Sequence, residues 1–418
     1  MKKTVVLYPG LGVGHLVPMV ELAKVFLDHG LAVAVALVEP ADSPAASAFS
    51  AAVARAKASN PSVAFHVLPP PPPAPADDKA TPTHHLMKML HLLAAMNAPL
   101  RDFLRSLQRS SPVHALVIDM FCADAQDVAD ELGIPAYYAF SSAASNLAVF
   151  LNLPSKLAAM DTQLLRDSST ISFPGVPPFK PSDLPSDVAA QGEALDSILR
   201  VFERLPQSDG ILINSMESLE PLAVQALEDG LCVPGRPTPS VYCIGPLVSA
   251  GAGDDEQHEC LRWLDSQPDD NSIVFLSFGS MGTFSKNQLS EIATGLEKSG
   301  QRFLWVVRSP LPDPAHHRPG DPLPEITDLG SLLPHGFLDR TRDRGLVAPQ
   351  VEVLRHRATG AFVTHCGWNS TLEGVAAAGL PLLCWPLYAE QRMNKVYVVE
   401  GMGLGVEMRG YDYRPYDY

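Results

Sequence analysis

Short apolar runs alternate with amphipathic stretches in the first part of the chain, and this alternation predicts strands and helices in turn. Thr4 to Tyr8 and Leu31 to Val38 are continuous apolar runs of strand length. Between them, Pro18 to His29 has helical periodicity, with Pro18 in the first turn and Gly30 as the stop signal. Continuous apolar strands are typical of sheets covered by helices on both faces. The pattern therefore predicts an α/β unit with a parallel sheet.

Polar side chains follow two further predicted strands of this unit. His114 to Ile118 ends in Asp119, and Ile134 to Phe140 ends in Ser141 and Ser142. Binding groups of parallel α/β sheets lie at the carboxyl ends of the strands. These three residues are therefore candidates for a functional site.

The strand and helix pattern breaks at residues 245–258 and then restarts. This segment is rich in glycine and acidic residues and has no periodicity, so it is predicted to be a linker between domains 1–244 and 259–418. In the second domain, Ser272 to Ser277, Phe303 to Val307 and Ala361 to Thr364 are predicted strands. Two similar α/β units joined by a linker predict a cleft at their junction.

Composition favours a small-molecule partner. Hydrophobic residues make up 46% of the 418 residues, which is enough for a sizeable core and excludes dominant disorder. The net charge is -15 and no Lys/Arg-rich stripe is present, which argues against nucleic acid and against anionic membranes as partners. The six cysteines lack paired spacing, so we expect neither disulfides nor a zinc site and predict a cytoplasmic protein.

Two apolar stretches could be mistaken for membrane signals. The N-terminal stretch is broken at Pro9 and Gly10, too early for a signal peptide. Ile134 to Ser155 has no charge but contains Pro135 and Pro154, and we interpret it as a strand followed by a buried helix. No membrane span is predicted.

The turn from Gly10 to His15 allows more than one interpretation. It resembles a dinucleotide-binding turn, with Glu39 as the ribose acceptor, but His15 stands where the third glycine belongs. A histidine at a helix N-terminus is kept neutral by the helix dipole and can act as a base. Asp119 could hold the second ring nitrogen of His15. The alternatives are that His15 only satisfies the turn and that Asp119 only caps a helix.

The segment from Pro349 to Gln391 carries the strongest signal. A predicted strand ends just before His365, and a helix begins shortly after Gly367, which permits close backbone approach. The free amides of that helix N-terminus and nearby polar side chains can cradle a diphosphate without a metal. The polar side chains are those of His365, Asn369 and Ser370, with Glu373 one turn later as an acceptor for ribose hydroxyls.

These segments resemble the plant family 1 UDP-glycosyltransferases that act on flavonoids and other phenolic molecules. The letters THCGWNSTLEG and PLYAEQ are similar to that family's nucleotide-sugar signature box. Further similar segments are GHLVPMVELAK, FPGVPPFKPSDLP, GILINSMESLEPLAVQAL and VFLSFGSMGTFS, so the resemblance extends along most of the chain.

The resemblance implies an α/β GT-B fold, in which two Rossmann-like domains with parallel sheets face each other. The N-terminal domain then binds the acceptor and the C-terminal domain binds the UDP-sugar. The implied reaction inverts the anomeric centre: His15 is the general base that deprotonates the acceptor hydroxyl, and Asp119 orients it. The implied partners are UDP-glucose, as a co-substrate, and a phenolic acceptor, with no cofactor and no metal, and the protein is expected to be a monomer.

The same resemblance implies the residues that hold the UDP-sugar. Gln350 is expected at the uracil edge, and Glu390 and Gln391 at the sugar hydroxyls, with Gln391 favouring glucose. The complete implied set is Ser141, Ser142, Gly279, Ser280, Ala348, Gln350, His365, Gly367, Trp368, Asn369, Ser370, Glu373, Glu390 and Gln391.

Three departures from the family pattern lead to further expectations. Val347 stands where the family has a tryptophan, in a strand that looks about four residues short, so we expect donor binding to be weaker by about 1 to 3 kcal/mol. Ala376 to Ala378 looks one residue longer than usual, which could rotate Glu390 and Gln391. The chain ends at Tyr418, where family members continue, so the second domain is expected to be incomplete.

Two alternatives to an active transferase follow from these patterns. One is a catalytically impaired relic or a non-catalytic UDP-sugar-binding protein. The other is a nicotinamide-dependent oxidoreductase, which rests only on the first glycine turn.

Overall fold

The computed structural model describes residues 3–39, 44–71, 84–159, 168–189, 192–248, 259–310, 328–348 and 354–410. Contacts divide the chain after Val248 into two compact units. Each unit contains its own large parallel sheet, as the sequence predicts.

The sheet of the first unit has seven strands, and every recorded pairing in it is parallel. Its members are β1 (Thr4–Tyr8), β2 (Ala32–Leu37), β3 (Ala64–Val67), β4 (Val113–Asp119), β5 (Ala136–Phe140), β8 (Gly210–Ile213) and β9 (Val241–Cys243). Their spatial order is β3-β2-β1-β4-β5-β8-β9. A separate antiparallel pair is formed by β6 (Ile171–Phe173) and β7 (Val176–Phe179).

Helices connect the strands of the first unit. They are α1 (Val13–Asp28), α2 (Pro44–Ser59), α3 (His85–Ala95), α4 (Asn97–Ser110), α5 (Ala125–Leu132), α6 (Ala144–Ala159), α7 (Ser186–Ala189), α8 (Glu193–Arg204) and α9 (Pro221–Glu228). Short 3₁₀ turns occur at Met120–Cys122, Pro181–Asp183 and Leu205–Gln207. Leu16 and Met19 of α1 pack on Val5 and Val33 of the sheet, so one core lies between this helix and the strands.

The second unit has a six-stranded sheet whose recorded pairings are also all parallel. Its strands are β10 (Ile273–Ser277), β11 (Arg302–Val306), β12 (Gly345–Ala348), β13 (Thr359–Thr364), β14 (Leu382–Cys384) and β15 (Gly405–Glu407), in the order β12-β11-β10-β13-β14-β15. Its helices are α10 (Glu259–Asp265), α11 (Lys286–Ser299), α12 (Leu329–Leu332), α13 (Phe337–Thr341), α14 (Trp368–Ala378) and α15 (Gln391–Val396), with a π-helical turn at Tyr397–Gly401.

Helix α1 begins earlier than the sequence pattern predicts. The prediction placed Pro18 in the first turn, but the helix starts at Val13 and Pro18 lies inside it, so this prediction is wrong. The backbone N–H of Leu16 donates to the carbonyl of Gly12, and the Leu16 side chain is buried. Burial of Leu16 extends the apolar stripe upstream, and this outweighs the preference of proline for a helix start. As a result, His15 lies in the first turn of α1.

The predicted linker begins within the first unit. The N–H of Gly245 donates to the carbonyl of Ser215, and the N–H of Leu247 donates to the Asn214 side chain at 2.7 Å. Leu247 is buried in the core that α1 covers. Residues 245–248 are therefore packed on the first unit, while residues 249–258 lie outside the described part of the chain.

A buried carboxylate holds the N-terminus of α6. Glu220 accepts hydrogen bonds from the backbone N–H groups of Ala144 at 2.8 Å and Ser145 at 2.9 Å, and from the hydroxyls of Ser145 and Ser215. A carboxylate at this end of a helix also interacts favourably with the positive end of the helix dipole. Glu220 thereby positions the segment that directly follows Ser141 and Ser142.

Replacement of this carboxylate is expected to destabilise the first unit. In Glu220→Gln, an amide –NH₂ faces groups that are donors themselves, so buried N–H and O–H groups lose their acceptor. We expect the free energy of unfolding to fall by about 2 to 4 kcal/mol. Urea denaturation followed by circular dichroism measures it. Glu217→Gln is the matched control, because Glu217 is exposed and three residues away, and equal stabilities of the two variants would contradict the assignment.

Candidate active site

His15 and Asp119 are in direct contact in the first unit. The Nδ1 atom of His15 lies 2.7 Å from Oδ2 of Asp119. Asp119 is the last residue of β4 and is 1% exposed, whereas the His15 side chain is 26% exposed. A neutral imidazole that donates its Nδ1–H to a carboxylate has its lone pair on Nε2. The arrangement therefore provides a basic nitrogen that is partly open and oriented by a buried charge.

Asp119 has two roles at once. Its Oδ1 atom accepts the backbone N–H of Phe121 at 3.0 Å and so caps the 3₁₀ turn Met120–Cys122. The cap fixes the carboxylate, and its other oxygen then meets His15. The two alternatives considered for Asp119, a helix cap and a partner of His15, are therefore compatible.

Ser141 and Ser142 follow β5, and Ser141 lies next to His15. The hydroxyl of Ser141 lies 3.5 Å from Nδ1 of His15, and the hydroxyl of Ser142 accepts an N–H of the Asn146 side chain at 2.8 Å. The edge of the Phe121 ring faces the imidazole, with the ring centroids 5.3 Å apart. A pocket is lined by His15, Asp119 and Ser141 together with apolar side chains such as those of Met19 and Leu22.

A buried histidine between two glycines is the central feature of the second unit. Gly279 follows β10 with a φ of 75°, and a Cβ there would lie 2.4 Å from Nε2 of His365. A Cβ at Gly367 would lie 2.5 Å from the same atom. The ring of His365 thus packs against two backbone segments that only glycine permits. We call Gly279, His365 and Gly367 the histidine clamp.

Burial keeps His365 neutral. Desolvation, with a smaller contribution from the positive charge of Arg308, lowers the pKa of His365 from 6.5 to about 4. The Nδ1 atom is buried and forms no hydrogen bond with any residue in the described ranges. A buried polar atom without a partner is uncommon and costly. Because His365 lies in the segment predicted to bind diphosphate, its Nδ1 atom is a candidate contact for a bound ligand.

The backbone at Cys366, between His365 and Gly367 of the histidine clamp, is strained and is held by side chains. Cys366 has a φ of 65°, which is unfavourable for a residue with a side chain. Its N–H donates to the hydroxyl of Thr364 at 3.1 Å, and its carbonyl accepts an N–H of Asn394 at 2.9 Å. These contacts fix the turn after which α14 begins, with Gly367 as its N-cap.

The predicted residues of α14 lie at its N-terminal end. Trp368 is the first residue of the helix and is buried, so its side chain belongs to the core. Asn369, Ser370 and Glu373 are half-buried and follow within the first two turns. Gly367 has no side chain to cap the first-turn amides, and such a helix end is suited to an anion. The backbone of residues 376–378 completes the helix.

Glu390 and Gln391 begin α15. Glu390 is half-buried and its Oε1 lies 3.4 Å from the Asn394 amide nitrogen. Gln391 is buried, and its side-chain oxygen accepts the N–H groups of Leu387 at 2.9 Å and Tyr388 at 3.0 Å. The oxygen of Gln391 therefore holds its own loop, and the Gln391 side chain also hydrogen-bonds the side chain of Tyr388.

The remaining predicted residues differ in their surroundings. Ser280 is exposed in the turn after β10. Ala348 is buried at the end of β12, and its carbonyl accepts the N–H of Val307 at 3.0 Å. Val347, at the position of the missing tryptophan, packs with Phe303 and Trp305 in the core. Gln350 lies outside the described residues.

Arg308 is a functional candidate that the sequence reasoning missed. It lies two residues after β11, and its Nε–H donates to the carbonyl of Gly279 at 2.9 Å. The available signal was its position, since a charged residue directly after an apolar strand is the criterion that selected Asp119.

Neither a metal-ligand cluster nor a disulfide is found in the described residues. They contain no group of three or more His, Cys, Asp or Glu side chains arranged to hold a metal ion. None of the six cysteines forms a disulfide with another. In the same ranges, no helix combines the length and the apolar character that crossing a membrane requires.

Two units that each contain a parallel sheet agree with the GT-B fold of the glycosyltransferases among the similar solved structures. A family profile described as "Glycosyltransferase, N-terminal domain" matches residues 2–249, and one described as "UDP-glucoronosyl and UDP-glucosyl transferase" matches residues 236–410. The chain belongs to the UDP-glycosyltransferase family and is a transferase that uses a UDP-sugar as co-substrate.

Two curated relatives and one solved structure illustrate the similarity. An anthocyanidin 5,3-O-glucosyltransferase of a Rosa hybrid cultivar is 40% identical, over 97% of this chain and 86% of the relative. A phloretin 2'-O-glucosyltransferase of Pyrus communis is 39% identical, over 98% and 87%. The structure of Phytolacca americana UGT2 in complex with UDP-2fluoro-glucose and pterostilbene has a TM-score of 0.81 and 34% identity, over 99% of this chain and 86% of that one.

These similarities decide between the functional alternatives. The nicotinamide oxidoreductase interpretation is wrong, because the family and the whole fold are those of glycosyltransferases. The comparisons support glycosyl transfer and lend no support to the non-catalytic alternative.

The neutral state of His365 can be observed directly. Because its pKa is lowered to about 4, its ring signals should not titrate between pH 8 and about pH 5. NMR of protein labelled at histidine measures this, and the signal missing in His365→Gln identifies the residue. In the unfolded state the His365 side chain takes up a proton near pH 6.5, whereas in the folded state it does so only near pH 4. This group therefore does not reduce the free energy of unfolding above pH 6.5, and it reduces that free energy as the pH falls towards 4. The control for the signal assignment is His335→Gln, which replaces an exposed histidine. Titration of His365 near pH 6.5 would contradict the burial.

A side chain at Gly279 is expected to open the histidine clamp. Gly279→Ala places a methyl group against Nε2 of His365 at a positive φ, so the free energy of unfolding should fall by about 2 to 4 kcal/mol. Gly295→Ala is the matched control, since Gly295 lies inside α11 and a Cβ there would meet no atom within 4 Å. It should be neutral or stabilising by up to about 1 kcal/mol. Denaturant unfolding of both variants tests the difference, and equal effects would count against the clamp.

Proposed function

We propose that this enzyme transfers glucose from UDP-glucose to a hydroxyl of a small phenolic acceptor such as a flavonoid, with inversion at the anomeric carbon. The contact of 2.7 Å between His15 and Asp119 carries the proposal, because a phenol must lose its proton as its oxygen attacks. The choice of glucose and of phenolic acceptors is supported by the names of the relatives, which are glucosyltransferases of an anthocyanidin and of phloretin.

His15 is the general base in this proposal. Its Nε2 takes the acceptor proton, and the buried Asp119 carboxylate stabilises the imidazolium that forms. Ser141 lies beside the pair and Ser142 beside Ser141, at the carboxyl edge of the sheet, where the sugar is proposed to approach. The acceptor oxygen attacks the face opposite the diphosphate, so an α-linked donor gives a β-glycoside.

The second unit holds the UDP-sugar in the proposal. The diphosphate is placed at the N-terminus of α14, with His365, Asn369 and Ser370, beside Gly279 and Ser280. Glu373 accepts from the ribose hydroxyls. Glu390 and Gln391 meet the sugar. Ala348 and Gln350 are proposed at the uracil, and the buried Trp368 supports the helix end from within the core.

Further expectations on the whole protein belong to the same proposal. The first unit binds the acceptor, residues 249–258 connect the units, and no cofactor beyond the UDP-sugar is needed. We propose a cytoplasmic monomer. Its donor affinity is lower than that of relatives with the tryptophan, because Val347 is a core side chain and offers no platform to the base.

Turnover measured with two variants, His15→Gln and Asp119→Asn, tests the proposed chemistry. We expect His15→Gln to lower kcat by about 100- to 10,000-fold, because the base is lost, with little change in KM for UDP-glucose. Asp119→Asn should also lower kcat, because an amide no longer stabilises the imidazolium. The assay combines UDP-glucose with a panel of flavonoids, an anthocyanidin and phloretin, and detects glucosides by mass spectrometry.

The control for this experiment lies in the same helix. His29→Gln removes a histidine at the exposed C-terminal end of α1 and should leave turnover unchanged. Wild-type turnover in His15→Gln would exclude His15 as the base, and absence of glucosides with the wild-type enzyme would exclude the proposed acceptor class.

A further inference from the structure

Arg308 belongs to the same strand-end site as the histidine clamp. It follows β11, which lies next to β10 in the sheet, so it emerges at the edge where Gly279 follows β10. Its Nε–H donates to the carbonyl of Gly279 at 2.9 Å. The same glycine packs on His365. The guanidinium is therefore tied to the backbone of the clamp.

The charge of Arg308 has no opposite charge to balance it within the described residues. The side chain is half-buried, and the structure records no ion pair between it and any carboxylate of these residues. Burial lowers the pKa of Arg308, and among the described residues the side chain of Tyr388 gives a smaller opposing contribution. The field of Arg308 also reaches His365 and helps to keep it neutral.

A purely structural role does not account for this arrangement. One neutral donor would bond the carbonyl of Gly279 equally well, whereas a partly desolvated cation without a counterion is unfavourable. Beside it lie an imidazole nitrogen that is buried and has no partner among the described residues, and a helix end that lacks a side-chain cap. One anion bound at the carboxyl edge of this sheet would account for all three features.

We propose that Arg308 is a binding residue for the diphosphate of the UDP-sugar and stabilises the charge of the departing UDP. This inference rests on the proposed function. In the reaction, the bond from the acceptor oxygen to the anomeric carbon forms and the bond from that carbon to the phosphate oxygen breaks. The electron pair leaves with UDP, and the acceptor proton goes to Nε2 of His15. Arg308 offers charge-assisted donors where the negative charge increases.

Binding of UDP and of uridine to one variant tests the proposal. In Arg308→Gln, the amide can still donate to Gly279, but the charge is gone. We expect calorimetry to show UDP binding weakened by about 10- to 100-fold and uridine binding unchanged, because only UDP has phosphates. A structural role would weaken both equally. Arg342→Gln removes the same charge at an exposed position before β12, at the opposite edge of the sheet, and should bind UDP as the wild type does.

The outcomes separate this inference from the proposed function. If wild-type protein binds no UDP, the proposed donor site fails, and the role of Arg308 fails with it. If wild-type protein binds UDP and Arg308→Gln binds it equally well, or loses UDP and uridine alike, only the role of Arg308 is overturned.

A second variant decides the question if Arg308→Gln does not fold. Arg308→Lys keeps the charge but loses the planar fork, so UDP binding should fall by less than about tenfold while uridine binding is retained. Equal losses for both ligands in Arg308→Lys would overturn the proposal.

Discussion

Parallel pairing of the strands is the constraint on which the rest of the structure depends. In both large sheets every recorded pair is parallel, so the carboxyl ends of the strands meet at one edge and each return passes through a crossover. His15 and Ser141 come after β1 and β5, and Asp119 ends β4, so the three residues come together at this edge. Gly279, Arg308 and His365 come together because they follow β10, β11 and β13. Residues more than a hundred positions apart thus become neighbours without any special contact between their segments.

The two central histidines show how burial selects different chemistry from the same side chain. His15 is partly exposed and contacts a buried carboxylate. His365 is enclosed by two glycines near a cation, and its pKa is lowered to about 4, so it stays a neutral polar group. In the proposed function, the first environment serves proton transfer and the second serves contact with an anion without a change of protonation state. Sequence position alone does not distinguish them.

Much of this architecture could be predicted from apolar runs, and the exceptions have physical causes. The strand Thr4–Tyr8, the part of β13 predicted as Ala361 to Thr364, and the polar residues Asp119 and His365 at strand ends follow from patterns of local sequence. The start of α1 could not, because burial of Leu16 against the sheet overrides the local preference of Pro18. The position of Arg308 after an apolar strand was an available signal, but its contact with the carbonyl of Gly279 in another loop could not be predicted. Local rules predict elements, while partners across the strand ends depend on the assembled sheet.

The side chain of Gln391 has a consequence for attempts to alter sugar preference. Its oxygen accepts two backbone N–H groups of the loop that precedes α15, so the proposed sugar contact and the local fold depend on one residue. A substitution chosen to admit another sugar would also leave two amides without their acceptor. We therefore expect such a change to need a second substitution that supplies a new acceptor for these two N–H groups.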